Sequence, residues 1–262
     1  ASENGPVRLS DAQSGAERAM VPARVGGAAA LGVFPSSQWF AVADLANAIV
    51  VFDPLGNRDS VIAEDLAEPI SAIAVSTDNR LLAAATDGGQ LNVWALAPTR
   101  RLHTFPITGA RTQAMAFAPD ERRLAVASVD GNITLWDMQD GRRVAQWRGH
   151  TQRISAIAWA PDGRRLATAS GGEARIWTLA DDATPSPTNV VGAKAHHIAF
   201  SADGRWLVAA GTTPNLRIFN AETGAPAHEL ATDSRGTRVL TITRDGRLLA
   251  ALGDDNVVRR WR

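Results

Sequence analysis

One nine-residue phrase recurs six times along the chain: PSSQWFAVA from Pro35, STDNRLLAA from Ser76, APDERRLAV from Ala118, APDGRRLAT from Ala160, SADGRWLVA from Ser201 and TRDGRLLAA from Thr243. Each phrase is a turn followed by an apolar strand. A fixed distance beyond each turn stands an aromatic, in the series Phe52, Trp94, Trp136, Trp177, Phe219 and Trp261, with successive differences of 42, 42, 41, 42 and 42. A spacing this constant means that one supersecondary unit is stacked again and again. The segments between turn signals are about four to six residues long and alternate in polarity, which excludes a helical solenoid and favours strands.

Within a unit the strands can be lettered a to d. Strand a reads AMAF (114–117), AIAW (156–159) and HIAF (197–200); strand b is nearly all apolar, as in LLAAA (81–85), LAVAS (124–128), LATAS (166–170) and WLVAA (206–210). A strand without polar alternation is one covered on both faces. Strand c follows as LNVW, ITLW, ARIW and LRIF, and strand d as RRVAQW (142–147) and PAHEL (226–230), joined by polar turns such as DMQDG (137–141) and NAETG (220–224). Four short strands in a unit of about 40–45 residues ending on an aromatic predict a blade of a β-propeller. The expected fold is all-β, with four-stranded antiparallel blades and a single domain over 1–262. Residues 1–24 read as a partial repeat holding strands c and d, and residues 25–262 as six repeats, so the count is six or seven blades.

The period, the Pro161-Asp162-Gly163 turn, the ending Thr134-Leu135-Trp136-Asp137 and the Gly149-His150 pair ahead of a strand a are similar to those of the WD-repeat propellers, over essentially the whole chain. That resemblance implies a buried network. Its members are a histidine before strand a, a serine or threonine in strand b, an aspartate in the b–c turn and the tryptophan of strand c. The structural candidates here are Trp94, Trp136, Asp130, His150, Trp177, Asp255 and Trp261, and no repeat supplies all four types: Gly171 stands where the repeat of His150 and Trp177 should have its aspartate. The resemblance further implies a protein-binding rim at the d–a loops and bacterial-type degenerate repeats. It also implies a role as the C-terminal propeller of a larger protein, whose partner is another protein or an effector domain of the same protein. Val7–Gly15 aligns with Leu216–Gly224, so residues 6–21 are expected either to pair with each other as strands c and d or to lend strand d to the blade ending at Trp261.

Chemistry is sparse elsewhere. The 27 basic and 27 acidic residues cancel, which argues against a general nucleic-acid or membrane binder. Without cysteine there is no disulfide or thiol chemistry, and no apolar run reaches the roughly 18 residues of a spanning helix. A soluble, cytoplasmic chain without cofactor or metal is expected. No phosphate loop, nucleophile elbow or zinc helix is found, so an enzyme is not expected. His196-His197 is the one histidine cluster, and on a regular strand its members point to opposite faces. Asp181-Asp182 and Asp254-Asp255 read as turn residues. Arg80, Arg122, Arg164, Arg205 and Arg247 follow the turns and are expected to be neutralised by acids of the c–d turns. At the approach to strand a, Arg111, Arg153 and Lys194 occupy equivalent positions, with Arg235 and Arg238 flanking the next. These cations predict a recognition surface for an acidic or phosphorylated segment. The alternatives are a small-ligand or enzymatic propeller that uses its central channel, and a free-standing subunit of a multiprotein complex.

Overall fold

A computed structural model describes residues 7–262 apart from 12–13, 15, 22–26, 36, 65, 108–109, 180–184, 192–193 and 244; the Asp181-Asp182 pair therefore lies outside the described residues. All regular structure among them is β, in five four-stranded sheets, one three-stranded and one two-stranded. Contacts divide the chain into two compact units, Ala1–Thr112 and Gln113–Arg262. The first holds β1 (Val7–Ser10), β2 (Glu17–Val21), β3 (Ala28–Val33), β4 (Phe40–Asp44), β5 (Ile49–Phe52), β6 (Arg58–Ala63), β7 (Ile70–Val75), β8 (Leu81–Thr86), β9 (Gln90–Leu96) and β10 (Thr99–Pro106). The second runs from β11 (Thr112–Phe117), whose first residue lies at the division, through β12 (Arg123–Ser128), β13 (Asn132–Asp137), β14 (Arg143–Arg148), β15 (Ile154–Trp159), β16 (Arg165–Ser170), β17 (Glu173–Thr178) and β18 (Ser186–Val191). It continues with β19 (Ala195–Phe200), β20 (Trp206–Gly211), β21 (Asn215–Asn220), β22 (Pro226–Ala231), β23 (Thr237–Ile242), β24 (Leu249–Gly253) and β25 (Val258–Trp261). Each strand pairs antiparallel with the next in its sheet.

The recurring phrase is a hairpin device. Asn79, Glu121, Gly163, Gly204 and Gly246, the third residues of five of the turns, all have φ between 62° and 69°. Each donates its N–H to the carbonyl three residues earlier, from Asn79 to Ser76 through to Gly246 to Thr243. A turn closed by one left-handed residue matches the twist of the strands it joins. The preceding aspartate holds the turn shut, since Asp78, Asp120, Asp162, Asp203 and Asp245 each accept the N–H of the arginine two residues on. Of those arginines, Arg80 and Arg247 lie 3.5 and 3.9 Å from their own turn's aspartate, while Arg122 reaches a c–d turn, at 3.8 Å from Asp137.

Packing follows a two-faced rule that explains the alanines. One face of a sheet is small and the facing sheet presents large residues to it. In the first unit Ala30, Ala41, Ala43, Ile49 and Val51 cluster with Ile73, Val75, Leu82 and Trp94. In the second, Ala114, Ala116, Ala125, Ala127, Ile133 and Leu135 cluster with Ile157, Trp159, Leu166 and Trp177, and Ala156, Ala158, Ala167, Ala169, Ala174 and Ile176 with Ile198, Phe200, Leu207 and Phe219. Small against large lets sheets interdigitate at interior density, and each strand-c aromatic fills the wider part of the gap.

Two expectations need refinement. Residues 7–10 and 17–21 pair with each other, Val7 opposite Val21, so of the two arrangements the strand c–d pair is the one formed. Trp94, Trp136 and Trp177 are buried as expected, whereas Trp261 is only half-buried. The cause lies in its sheet: β23–β24–β25 has three strands among the described residues, and no strand d covers β25 in the way that Pro187 stands opposite Trp177.

Candidate partner-binding rim

The connector from strand d to strand a is tied to b–c turns by backbone hydrogen bonds. Asp87 N–H donates to Pro69 at 2.8 Å, Asp254 N–H to Gly236 at 3.1 Å, Lys194 N–H to Gly172 at 2.6 Å, and His150 N–H to Gly131 at 3.0 Å. A Cβ on Gly131 would lie 2.1 Å from the His150 carbonyl, so this approach requires glycine. Pinned in this way, the connector backbone is fixed while its outward side chains remain in solvent.

Beneath one connector lies a complete buried network. Trp177 Nε1–H donates to Thr168 Oγ1 at 2.9 Å, and Thr168 Oγ1 meets His150 Nε2 at 2.7 Å. His150 Nδ1 meets Glu173 Oε1 at 3.0 Å. With the Thr168 hydroxyl donating to Nε2, the imidazole is neutral and its Nδ1–H donates to the carboxylate. Burial pushes the His150 imidazole below its ordinary range, the Arg175 charge adds to this, and the Glu173 contact opposes it without prevailing. Gly171 fills the place where the pattern puts an acid in this repeat. Glu173, two residues later, reaches back from the start of β17 with one more methylene and supplies the carboxylate, while Arg175 Nη2 pairs with it at 2.8 Å. An acid at the mouth of strand c was the available signal.

The other structural candidates act singly. Asp130 accepts from the hydroxyl of Ser128 and from the backbone and side-chain N–H of Asn132; burial opposes ionisation there, but these donors hold its carboxyl below the usual range. Asp255 is pulled down to about 2 by Arg259, whose Nη2 lies 2.7 Å away. His196 and His197 stand at a β-bulge of strand a between Ala195 and His197, which repeats between Ile154 and Ala156 and between Thr237 and Val239. Ser155 Oγ donates to the His196 carbonyl at 2.9 Å, across neighbouring inner strands.

The rim cations fall into two groups. Arg111, in the first unit, is exposed but its Nε lies 2.5 Å from Asp87 Oδ1. In the second unit Arg153, Lys194 and Arg235 are exposed at the approaches to β15, β19 and β23, and no ion pair to any of them occurs among the described residues. Arg238 donates to Asn256 Oδ1 at 3.1 Å. The inner strands β15, β19 and β23 pack side by side in that order, which makes the three connectors neighbours.

Repeated four-stranded sheets packed small face to large face define a β-propeller. A family model described as the anaphase-promoting complex subunit 4 WD40 domain matches residues 73–162. The β-propeller domain of Myceliophteria thermophila Cps50 (Swd1) superposes on 99% of this chain and 91% of its own, with a TM-score of 0.82 at 15% sequence identity, a likeness of fold. No curated protein sequence matches the chain.

Proposed function

We propose that this chain is a non-catalytic interaction module, a scaffold or sensor, whose d–a rim over residues 113–262 holds an acidic or phosphorylated segment of a protein partner. The observation that carries this reading is the trio Arg153, Lys194 and Arg235, exposed on adjacent connectors without an acid partner among the described residues. On a chain of zero net charge, three such cations make a local positive field where an anionic group gains charge-assisted hydrogen bonds. Lys194 itself is bonded to Gly172 of a b–c turn, and His150 and Gly236 tie the connectors of Arg153 and Arg235 in the same way, so less ordering remains to be done on binding. Lys194 holds a left-handed backbone, φ 45°, which directs this connector differently from an extended one. The WD40 match over residues 73–162 supports an interaction role, since the protein named in that description is a subunit of a complex.

The test is a labelled glutamate-rich peptide and its phosphoserine counterpart, titrated against the wild type and the variant Arg153→Glu/Lys194→Glu/Arg235→Glu. The wild type should bind with affinity that falls steeply between about 50 and 200 mM salt, as exposed charges are screened. The triple variant should keep its circular dichroism and lose about tenfold or more in affinity. Equal binding by the variant, with the same salt dependence, refutes the reading.

A further inference from the structure

The rim cations of the second unit owe their freedom to one turn position. In the first unit Asp87, the residue just after β8, pairs at 2.5 Å with Arg111, the residue just before β11. The residues at those two places in the second unit are Val129 with Arg153, and Gly171 with Lys194. Neither pair contains an acid. At Gly171 there is no room for one, since a Cβ would lie 2.1 Å from Gln152 Oε1. The b–c turn on the other side of Lys194 opens on Thr212, exposed and uncharged. The acids next along the chain are engaged elsewhere: Asp130 accepts from Ser128 and Asn132, and Glu173 is shared by His150 and Arg175. Arg235 differs, because Asp254 Oδ2 lies 2.7 Å from the point a Cβ on the adjoining Gly236 would occupy. Positive charge on the rim is therefore least opposed at Arg153 and Lys194.

We infer that the rim between Arg153 and Lys194 is a phosphate subsite, which takes one phosphorylated side chain of the partner in preference to a carboxylate. The inference rests on the rim reading and narrows it. A phosphoserine brings about −1.5 to −2 charges and three acceptor oxygens at pH 7, whereas a glutamate brings a single charge. Two cations on adjacent connectors with no acid between them match the first and leave one charge unmatched by the second. Lys194 is the one lysine of the chain, a compact charge with three rotatable donors, and Arg153 adds a planar fork. The backbone under the ammonium is held in place, with the Lys194 N–H donating to the Gly172 carbonyl at 2.6 Å.

Because Lys194 and the terminal α-amine are the only primary amines of the 262-residue chain, an acetylating ester reports on this one side chain with a built-in control. The probes are a peptide carrying one phosphoserine and the same peptide with glutamate in its place. At saturation the phosphopeptide should slow acetylation of Lys194, read by mass spectrometry, by about tenfold or more and leave the terminal amine unchanged. The glutamate peptide should bind about tenfold or more weakly than the phosphopeptide. Lys194→Gln should abolish that preference, and Val129→Asp, which copies the Asp87 arrangement ahead of Arg153, should reduce it; circular dichroism checks that each variant folds. Arg164→Gln, at an exposed arginine of an a–b turn, should change neither readout. Equal affinity for the two peptides, or acetylation of Lys194 unaffected by the phosphopeptide, overturns the subsite. The rim reading survives that result if Arg153→Glu/Lys194→Glu/Arg235→Glu still weakens both peptides, whereas absence of binding by either peptide overturns both.

Discussion

Replacing Thr168 by valine removes one oxygen from the buried His150–Thr168–Trp177 network while keeping the side chain's shape. Thr168 is 0% exposed, and His150 and Trp177 are each 2% exposed. Its hydroxyl has two partners, accepting from Trp177 Nε1–H and meeting His150 Nε2. The substitution strands both. Each buried polar group left without a partner costs about 1–3 kcal/mol, and the added methyl returns about 1 kcal/mol of apolar burial. For the two stranded groups together the net loss should be about 1–5 kcal/mol. Thr168→Ser keeps the hydroxyl and loses only a methyl, so it should cost about 1 kcal/mol and serves as the control. Urea unfolding followed by tryptophan fluorescence reads both, with the slope compared between variants to show that the midpoint shift reports stability. A Thr168→Val variant within about 0.5 kcal/mol of wild type would refute the view that this network is a closed and stabilising unit.

Burial holds the imidazoles of His150 and His197 below the ordinary range, the second aided by the charge of His196. The unfolded chain therefore takes up protons near 6.5 that the folded chain refuses; stability should be level above about pH 7 and fall as pH drops through 6.5, and a urea midpoint that rises on acidification contradicts this. Trp136→Ala opens the gap that a strand-c aromatic fills and should cost about 3–5 kcal/mol in the same assay. Arg165 pairs with Asp162 at 2.7 Å, donates to the Gly204 carbonyl of the next sheet at 3.0 Å and lies 6.0 Å from the Phe200 ring centroid. Arg165→Lys cannot keep all three contacts and should cost about 1 kcal/mol by chemical denaturation, whereas no change would show the latch to be ornamental.

How far the sequence could be read depended on whether a feature is local. The a–b turns were legible because a left-handed third residue and a capping aspartate leave a fixed phrase, and the strand-c aromatics because their spacing is set by the unit itself. The bulge in strand a leaves no such mark, since one extra residue in a strand of small and apolar side chains does not alter its composition. Glu173 escaped because a longer side chain reaches the same histidine from two residues further on. The pairing of Arg111 with Asp87, 24 residues apart, could not be seen along the chain at all.

The proposed rim is tested most directly by amide hydrogen exchange of the second unit with and without the glutamate-rich peptide. Protection should be confined to the connectors carrying Arg153, Lys194 and Arg235 and the b–c turns bonded to them, and should vanish at high salt. Protection centred instead on the c–d turns at 137–141 and 220–224, or none at saturating peptide, would contradict the account.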